Sequence, residues 1–327
     1  RVLIALAIAG DPDLLICDEP TTALDVEVQQ QILDLLDSLV RERGMALLFI
    51  THDLAVIRKM TDRVIVLKGG RIVDQNADLD APKVDYTAQL VEASKPKSSA
   101  EIRATGEPII ELKDVTWRRG STVALDNVNL TVHEGERVGI VGGSGSGKTS
   151  LLRVISGLNE PDSGTVRVDG DLQMVFQDPY SSLNPRRKVR DSIREAGVDE
   201  ARADEVLSQV GLEGMGSRFP RQFSGGQRQR ISIARAAAPH PEILIADEPV
   251  SALDVSVRAQ VLELIDDLVV HDRVTLIFVS HDLSVVRQVC PTIAVLYHGK
   301  IVEMGPTEEV WANPQHEYTH QLLAAIP

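Results

Sequence analysis

The chain contains an internal repeat, in which residues 1–74 match residues 230–303 without a gap and close to half of the paired positions are identical. A repeat of this length exceeds the roughly 20–50 residues of a solenoid repeat, so it indicates two whole domains of the same fold. The best-matched stretches are mostly polar: Asp18-Glu19-Pro20 with Asp247-Glu248-Pro249, Ala23-Leu24-Asp25-Val26 with Ala252-Leu253-Asp254-Val255, and His52-Asp53-Leu54 with His281-Asp282-Leu283.

The closing segments of the two copies also match, because residues 85–90 resemble residues 317–322. We therefore expect residues 1–95 to be the C-terminal part of a first domain. The Lys-, Pro- and Ser-containing residues 96–108 are typical of a flexible linker. Residues 109–327 then form a complete second domain with a C-terminal extension. Because Arg1 opens directly into an apolar helical run without a capping residue, the first domain is expected to be truncated at its start.

Both copies alternate short apolar runs with helical patterns. The runs at residues 14–16, 46–50, 243–246 and 274–279 are continuous and bounded by turn residues, as buried parallel strands are. Between them, residues 26–40 and 255–269 place apolar side chains at helical spacing. This succession of strand, helix and strand predicts an α/β fold with a parallel sheet.

Composition limits the classes of function. At 327 residues with 43% apolar side chains, the chain can bury two cores. Its net charge of −14 argues against a nucleic-acid surface, which needs an excess of Lys and Arg. No apolar run approaches the roughly 18 residues of a membrane-spanning helix, so a membrane role is expected to be peripheral. Cys17 and Cys290 are far apart and lack zinc-like spacing, so we expect buried thiols in a reducing compartment.

A glycine-rich loop follows the apolar run at residues 137–141. Small residues let the backbone curl until successive N–H groups point at an anion, and a helix that we expect to follow from Ser150 adds its positive N-terminal end. Lys148 is expected to bridge the outer phosphates of a nucleotide, and Thr149 to hold Mg²⁺. The alternative is a merely flexible Gly/Ser loop. The phosphate-loop pattern is matched by Gly142, Gly143, Ser144, Gly145, Ser146, Gly147, Lys148 and Thr149.

An acidic pair and a histidine follow two further predicted strands. Asp247 and Glu248 should emerge at the carboxyl edge of the sheet, where α/β proteins bind ligands. There Asp247 can reach Mg²⁺, and Glu248 can orient and deprotonate an attacking water. His281 follows the next strand and points to the same crevice. A solvated acidic pair and a structural histidine are the alternatives, and the duplicates Asp18, Glu19 and His52 argue against them.

These residues together resemble ABC ATPases. Ser224, Gly225, Gly226 and Gln227, followed by Arg-Gln-Arg, are similar to the signature motif of that family. The family's order of motifs is reproduced by residues 142–149, Gln177, residues 224–227, 247–248 and 251–254, and His281. The resemblance covers nearly the whole chain. It implies an ATPase with ATP and Mg²⁺ as cofactors, a P-loop fold with a parallel-sheet core, an antiparallel β subdomain and a helical subdomain.

The same resemblance implies roles for further residues. Trp117 would stack on adenine, although a buried strand aromatic is the alternative and Tyr or Phe is commoner there. Gln177 would sense Mg²⁺ and the attacking water while coupling to the membrane subunit, and a merely solvated surface glutamine is the alternative. Ser224 and the glycines after it would clamp a γ-phosphate that belongs to the opposite domain, or else form a simple helix cap.

In ABC ATPases two such domains pack head to tail, and each ATP lies between one phosphate loop and the other domain's signature. Here the first copy keeps only Asp18, Glu19, the loop at residues 22–25 and His52 of these motifs. We therefore expect neither composite site to be complete within this chain. We expect the chain to bind ATP through the second domain and to hydrolyse it poorly, because transition-state charge lacks its cross-domain clamp.

Residues 177–186 and 313–323 resemble the ATPase subunits of dipeptide, oligopeptide and nickel importers, without the cysteine cluster that some members carry for an iron–sulfur centre. The resemblance implies transmembrane permease subunits and an extracytoplasmic solute-binding protein as partners, and a peripheral location on the cytoplasmic face of the cell membrane. A soluble ABC ATPase acting on ribosomes or DNA is the alternative, and a catalytically dead binding piece is a third.

Overall fold

In the computed structural model, residues 1–21, 24, 26–94, 106–251, 253 and 255–325 are described, and the chain forms two compact units. One unit consists mainly of residues 1–95 and the other mainly of residues 96–323. Several predicted features lie outside the described residues: Thr22, Ala23 and Asp25 of the first copy, most of the expected linker, and Ala252 and Asp254 of the second copy.

The first unit pairs its strands in two small sheets. The first two strands are parallel and the last two are antiparallel. Leu33 and Leu36 of the long helix are fully buried in its core. Its helices are α1 (Val2–Ile8), α2 (Val26–Arg43), α3 (Leu54–Met60) and α4 (Asp85–Ser94), and its strands are β1 (Leu14–Asp18), β2 (Ala46–Ile50), β3 (Ile65–Lys68) and β4 (Arg71–Gln75).

The second unit contains a three-stranded antiparallel sheet, a six-stranded main sheet and a helical cluster. Its strands are β5 (Pro108–Arg119), β6 (Thr122–His133), β7 (Arg137–Val141), β8 (Ser163–Val168), β9 (Leu172–Val175), β10 (Ile243–Asp247), β11 (Thr275–Val279), β12 (Thr292–Tyr297) and β13 (Lys300–Pro306). Its helices are α5 (Lys148–Ile155), α6 (Pro179–Ser182), α7 (Val189–Arg194), α8 (Glu200–Gln209), α9 (Gly225–Ala237), α10 (Val255–Asp272), α11 (Leu283–Val289), α12 (Thr307–Ala312) and α13 (Glu317–Ala324).

The main sheet has the order β13-β12-β7-β11-β10-β9. All its pairings are parallel except that of β13 with β12. Every residue of β7, β10 and β11 is buried, as expected for strands covered on both faces. The predicted α/β fold is therefore confirmed, with an antiparallel strand at one edge. The sheet β6-β5-β8 and the helices α6 to α9 are the antiparallel and helical parts that the resemblance implied.

Three predicted helix boundaries were wrong by a few residues. The helix after the phosphate loop begins at Lys148 and not at Ser150, because Gly147, with φ of 112°, is already its N-cap. The long helices end at Arg43 and Asp272, beyond the predicted residues 40 and 269, because polar residues continue a helix after its apolar pattern has ended.

The two copies have the same backbone where their sequences match. Strands β1 and β10 occupy corresponding residues and pair in the same register, Leu14 with Ala46 and Ile243 with Thr275. The left-handed backbone positions also correspond, since φ is 44° at both Glu19 and Glu248. The repeat is therefore a repeat of structure as well as of sequence.

The copies differ in what covers the strands. In the second unit Ile245 is fully buried against a cluster that includes residues of α5 and of the antiparallel sheet. Its counterpart Ile16 is 59% exposed, while Leu15 on the opposite face of β1 is buried. The described residues of the first unit contain no strand equivalent to β7 and no helix equivalent to α5. One face of β1 is open for that reason.

Candidate functional site

The strand order brings the predicted motifs to one edge of the main sheet. Strand β11 lies between β7 and β10, and β9 lies on the other side of β10. Because these four strands are parallel, the segments that follow them meet at their carboxyl ends. The strand that precedes His281, β11, therefore lies between the strand before the phosphate loop and the strand before the acidic pair. Ala246 of β10 pairs with Val175 of β9, so Gln177 and Glu248 are each two residues beyond this pair and come at the same height along the two strands.

The phosphate loop, residues 142–149, requires glycine where the backbone passes close to its neighbours. Gly142 has φ of 156°, and a Cβ there would lie 2.2 Å from the Leu296 carbonyl oxygen. Gly147 has φ of 112°, and a Cβ there would lie 2.6 Å from the Ala124 carbonyl oxygen. Side chains at these two positions would force the loop away from β6 and β12. The predicted glycine pattern thus has a steric cause.

Lys148 and Ser146 are the buried polar side chains of this loop. The Lys148 ammonium donates to the carbonyl oxygens of Gly142 and Gly143, at 2.6 and 3.0 Å. The Ser146 hydroxyl is buried and has no hydrogen-bond partner among the described residues. A buried hydroxyl without a partner costs free energy. The loop thus holds a cation and an unpartnered hydroxyl beside backbone N–H groups, a set that suits a polyanion.

Asp247 closes β10 as a buried carboxyl, only 6% exposed. Burial, with the neighbouring charge of Glu248, raises its pKa to about 6, against the opposing effect of Lys148 and Arg153. A carboxylate that is costly to ionise gains from a cation placed beside it. The geometry therefore suits the predicted role of Asp247 as a metal ligand.

Glu248 lies between Gln177 and His281. Its Oε2 accepts a hydrogen bond from Gln177 Nε2 at 2.9 Å and lies 3.2 Å from His281 Nδ1. Burial raises the pKa of the Glu248 carboxyl, but the bond and charge of His281, the charge of Lys148 and the bond from Gln177 outweigh it, so the pKa lies below its usual value. The group is thus an ionised carboxylate near neutral pH.

The backbone of Glu248 is left-handed, with φ of 44°. This conformation costs a residue with a side chain about 1–2 kcal/mol, and such strain is typical of functional sites. It is maintained by the Glu248 N–H, which donates to the Val279 carbonyl at 2.9 Å. In the first copy Glu19 donates to Ile50 at the same distance, and His52 Nδ1 lies 3.0 Å from Glu19 Oε1. Asp18, in contrast, is exposed.

Trp117 lies on β5 opposite Leu125 and is partly buried against the main core. A Cβ on Gly147 would contact Leu125, so the strand pair that carries Trp117 adjoins the phosphate loop. Both interpretations of Trp117 fit this placement. Stacking on adenine stays a prediction, as does the binding of Mg²⁺ by Thr149, whose side chain is exposed at the start of α5.

The signature residues form a helix N-terminus at α9. Ser224 Oγ accepts from the Gln227 N–H at 3.3 Å, and Gln227 Oε1 accepts from the Ser224 N–H at 3.0 Å, which is a capping box. A Cβ on Gly225 would meet nothing within 4 Å, and Gly225 has no left-handed backbone. Glycine at this exposed position is therefore not required by packing within the unit.

Two contacts of the site were missed in the sequence. Tyr318 of α13 accepts a hydrogen bond from the Gly143 N–H of the phosphate loop, at 2.7 Å. Arg228 of α9 lies 3.6 Å over the ring of Tyr180, shortly after Gln177, and also donates to its hydroxyl. Both join residues far apart in the chain, so no local pattern predicts them. The one signal in the sequence was the match between residues 85–90 and 317–322, which contain Tyr86 and Tyr318.

Comparison with known proteins gives consistent matches. A family described as ABC transporter matches residues 125–251. The peptidoglycan transport ATP-binding protein YejF of Agrobacterium fabrum is 42% identical over 99% of this chain and 67% of that protein. The oligopeptide transport ATP-binding protein OppD of Mycobacterium bovis is 37% identical over the whole chain and 72% of that protein.

The glutathione import ATP-binding protein GsiA of Shigella boydii is 38% identical, and this chain spans 63% of its length. Among solved structures, the dimeric cassette MJ0796 bound to ADP and Pi matches with 31% identity and a TM-score of 0.56, covering 61% of this chain and 98% of that one. CbiO1 of Clostridium perfringens, part of the transporter complex cbiONQ, matches with 26% identity and a TM-score of 0.59 over 63% of this chain and 92% of that one. The matched share of this chain, 61 and 63%, corresponds in length to about one unit.

Proposed function

Because this chain belongs to the family of ABC transporter ATP-binding proteins, we propose that its second unit binds and hydrolyses ATP to drive import of a peptide or a related solute. One observation supports hydrolysis most directly. The Glu248 carboxylate contacts both Gln177 and His281, at the sheet edge that also presents the phosphate loop. The solute class is taken from the relatives, whose names include peptidoglycan, glutathione and oligopeptide transport.

The residues at this edge fit a magnesium nucleotide. The buried Ser146 hydroxyl without a partner and the Lys148 ammonium both lie in the phosphate loop. Asp247 adds a buried carboxyl whose pKa of about 6 would fall beside a cation. The loop and Lys148 would hold the phosphates, while Thr149, Gln177 and Asp247 would hold Mg²⁺. When bound, the ion neutralises charge on the transferred phosphate.

Three further side chains of the site have separate roles in hydrolysis. Glu248, ionised near neutral pH, accepts a proton from the attacking water. His281 Nδ1 carries its proton toward Glu248, because an ionised carboxylate only accepts, and this fixes the direction of the carboxylate. Gln177 approaches Glu248 from the neighbouring strand end and reports occupancy of the site to the helical cluster that follows it.

The signature at Ser224 serves a second cassette. Its exposed helix N-terminus presents N–H groups to an anion, and Gly225 leaves room for close approach. Pairing head to tail would place this cap on the phosphate of a partner domain. The cassette MJ0796, to which this chain is similar, is dimeric in its structure with ADP and Pi. Trp117 would support the adenine.

Coupling to a membrane subunit is proposed at a groove between the main sheet and the helical cluster. Leu158 and Phe176 are 63% and 39% exposed there, beside the chain that leads to Gln177. Exposed apolar side chains close to Gln177 suit a helix of a permease. The groove is lined by Ser156, Leu158, Leu172, Gln173, Met174, Phe176, Glu195, Ala196 and Arg235.

The location of the chain follows from the same proposal. Among the described residues, no helix is both long and apolar enough to cross a bilayer. The chain would act on the cytoplasmic face of the membrane, and an extracytoplasmic binding protein would supply the solute.

Co-purification and ATPase assays with the membrane subunits test this function. We expect the subunits to bind the full-length protein and to stimulate its turnover, and Leu158→Asp to reduce the stimulation. Val123→Asp is the matched control, since Val123 is also exposed but does not line the groove. Stimulation by ribosomes or DNA, with no binding of membrane subunits, would instead support the soluble alternative.

A further inference from the structure

The last described helix, α13, contacts the phosphate loop through the side chain of Tyr318. The Tyr318 hydroxyl accepts from the Gly143 N–H at 2.7 Å, and a Cβ on Gly143 would lie 2.9 Å from that hydroxyl oxygen. Gly143 is also held through its carbonyl, which accepts from Lys148 Nζ at 3.0 Å and from the Ser146 N–H at 3.3 Å. The N–H of Gly143 shares its peptide unit with the carbonyl of Gly142, which accepts from Lys148 Nζ at 2.6 Å. Tyr318 therefore holds one side of a peptide unit whose other side holds the lysine.

Tyr318 is itself held firmly. It is only 6% exposed, and its ring stacks on Tyr297 at the end of β12, with centroids 3.9 Å apart and 24° between the planes. The turn before α13 is anchored on β13, where the Glu303 carboxylate accepts from the N–H groups of Gln315 and His316 at 2.8 and 3.0 Å. The hydroxyl thus approaches the loop from a rigid support.

The first copy repeats this support. Tyr86 occupies the same place in α4, and Lys68, which corresponds to Tyr297, lies with its ammonium 4.2 Å over the Tyr86 ring. Asp74, which corresponds to Glu303, accepts from the Thr87 hydroxyl at 2.7 Å. Both copies therefore hold a tyrosine at the second residue of the closing helix, with a partner for its ring and a strand carboxylate that anchors the start of the helix or the turn before it. Among the described residues, a phosphate loop is present in the second unit only.

We infer that Tyr318 is a positioning residue that couples docking of α13 to occupancy of the phosphate loop. In this structure the Lys148 ammonium is bound to loop carbonyls. An arriving phosphate draws the ammonium away, and Gly143 loses a charge-assisted bond on its carbonyl side. Tyr318 then keeps the loop in the curvature that presents its N–H groups. By reciprocity, a bound nucleotide stabilises the docked position of α13.

This inference rests on the proposed binding of ATP, and its test separates the two. Affinity for MgATP is measured by calorimetry in the wild type, Tyr318→Phe, Tyr86→Phe and Lys148→Ala, together with hydrogen exchange of residues 317–324 with and without nucleotide. Tyr318→Phe should weaken binding about 3- to 10-fold, the range expected for one lost hydrogen bond. It should also abolish the protection of α13 that nucleotide gives the wild type. Tyr86→Phe, the same change in the first copy, should leave both unaltered.

The outcomes are distinct. If Lys148→Ala binds MgATP as tightly as the wild type, the proposed nucleotide site is wrong. If Lys148→Ala loses binding while Tyr318→Phe keeps wild-type affinity, or if α13 exchanges equally with and without nucleotide in the wild type, the coupling through Tyr318 is wrong. A merely structural role would lower the melting temperature of Tyr318→Phe without changing the response of α13 to nucleotide.

Discussion

Nδ1 of His281 lies 3.2 Å from Oε2 of Glu248. The two side chains follow different strands, β11 and β10, which are paired in parallel, so the sheet sets their separation. Because His281 helps to hold the pKa of the Glu248 carboxyl below its usual value despite burial, the contact affects both the direction and the ionisation of the proposed base.

Removal of this imidazole should slow hydrolysis. We expect His281→Ala to reduce turnover by about 100-fold or more, the effect of losing an oriented general base, and to change ATP affinity little. Since the pKa of Glu248 then rises, the acidic limb of the pH–rate profile should move to higher pH. Steady-state kinetics across pH measure this. His52→Ala in the first copy is the matched control, and an unshifted acidic limb in His281→Ala would contradict the account.

Asp247 should destabilise the unliganded protein as the pH rises. Its folded-state pKa of about 6 exceeds the ordinary value of 3.8, so the folded state binds the proton more tightly than the unfolded state. The free energy of unfolding therefore falls by about 3 kcal/mol between about pH 4 and pH 6, since each pKa unit corresponds to about 1.36 kcal/mol. Asp247→Asn removes this cost. Urea unfolding should show a gain over wild type that grows from pH 4.5 to pH 7.

Asp18→Asn, the corresponding change at an exposed carboxylate of the first copy, is the control for that experiment. A gain for Asp247→Asn that is the same at both pH values would show that ionisation of Asp247 is not its source.

Gly225 should matter for turnover and not for folding. A Cβ would meet nothing within 4 Å, and alanine favours a helix over glycine by up to about 1 kcal/mol. Gly225→Ala should therefore keep or raise the melting temperature and leave ATP affinity unchanged. It should lower turnover of the paired cassettes at least about 10-fold, because the added methyl keeps the phosphate away from the N–H groups of the helix terminus, and loss of one transition-state contact costs more than this. Gly10→Ala, at another open glycine, is the control. Full turnover in Gly225→Ala would remove the signature from the proposed site.

Arg273 ends α10 with a left-handed backbone, φ 52°, where the first copy has Gly44 at φ 64°. Glycine adopts this conformation without strain. Arg273→Gly should therefore stabilise the protein by about 1 kcal/mol, and raise the melting temperature of its unit by about 2–4 °C. Differential scanning calorimetry measures the shift. Arg273→Ala keeps the strain and should give no gain; an equal gain for both variants would refute the backbone explanation.

The sequence predicted the strands of the site well because buried parallel strands such as β10 are continuous apolar runs that end in polar residues. It placed Asp247, Glu248 and His281 at one edge for the same reason. The left-handed backbone of Glu248 was not predictable, since glutamate carries no local preference for it. The bond from Gly143 to Tyr318 was missed because it depends on the docking of α13, 175 residues away.

The roles of Trp117 and Thr149 were predicted from the family resemblance. Thr149 lies at the end of the phosphate loop and Trp117 on a strand pair that adjoins it. Their predicted roles depend on contacts with a bound nucleotide and ion.

The central claim is that Glu248 activates water beside a phosphate loop that holds ATP. It is tested most directly by measuring MgATP affinity and turnover of Glu248→Gln in the full-length protein, with Glu19→Gln as the corresponding change in the first copy. We predict that Glu248→Gln keeps wild-type affinity within about threefold and loses turnover by about 100-fold or more, the contribution of a general base. Wild-type turnover in Glu248→Gln would contradict the claim.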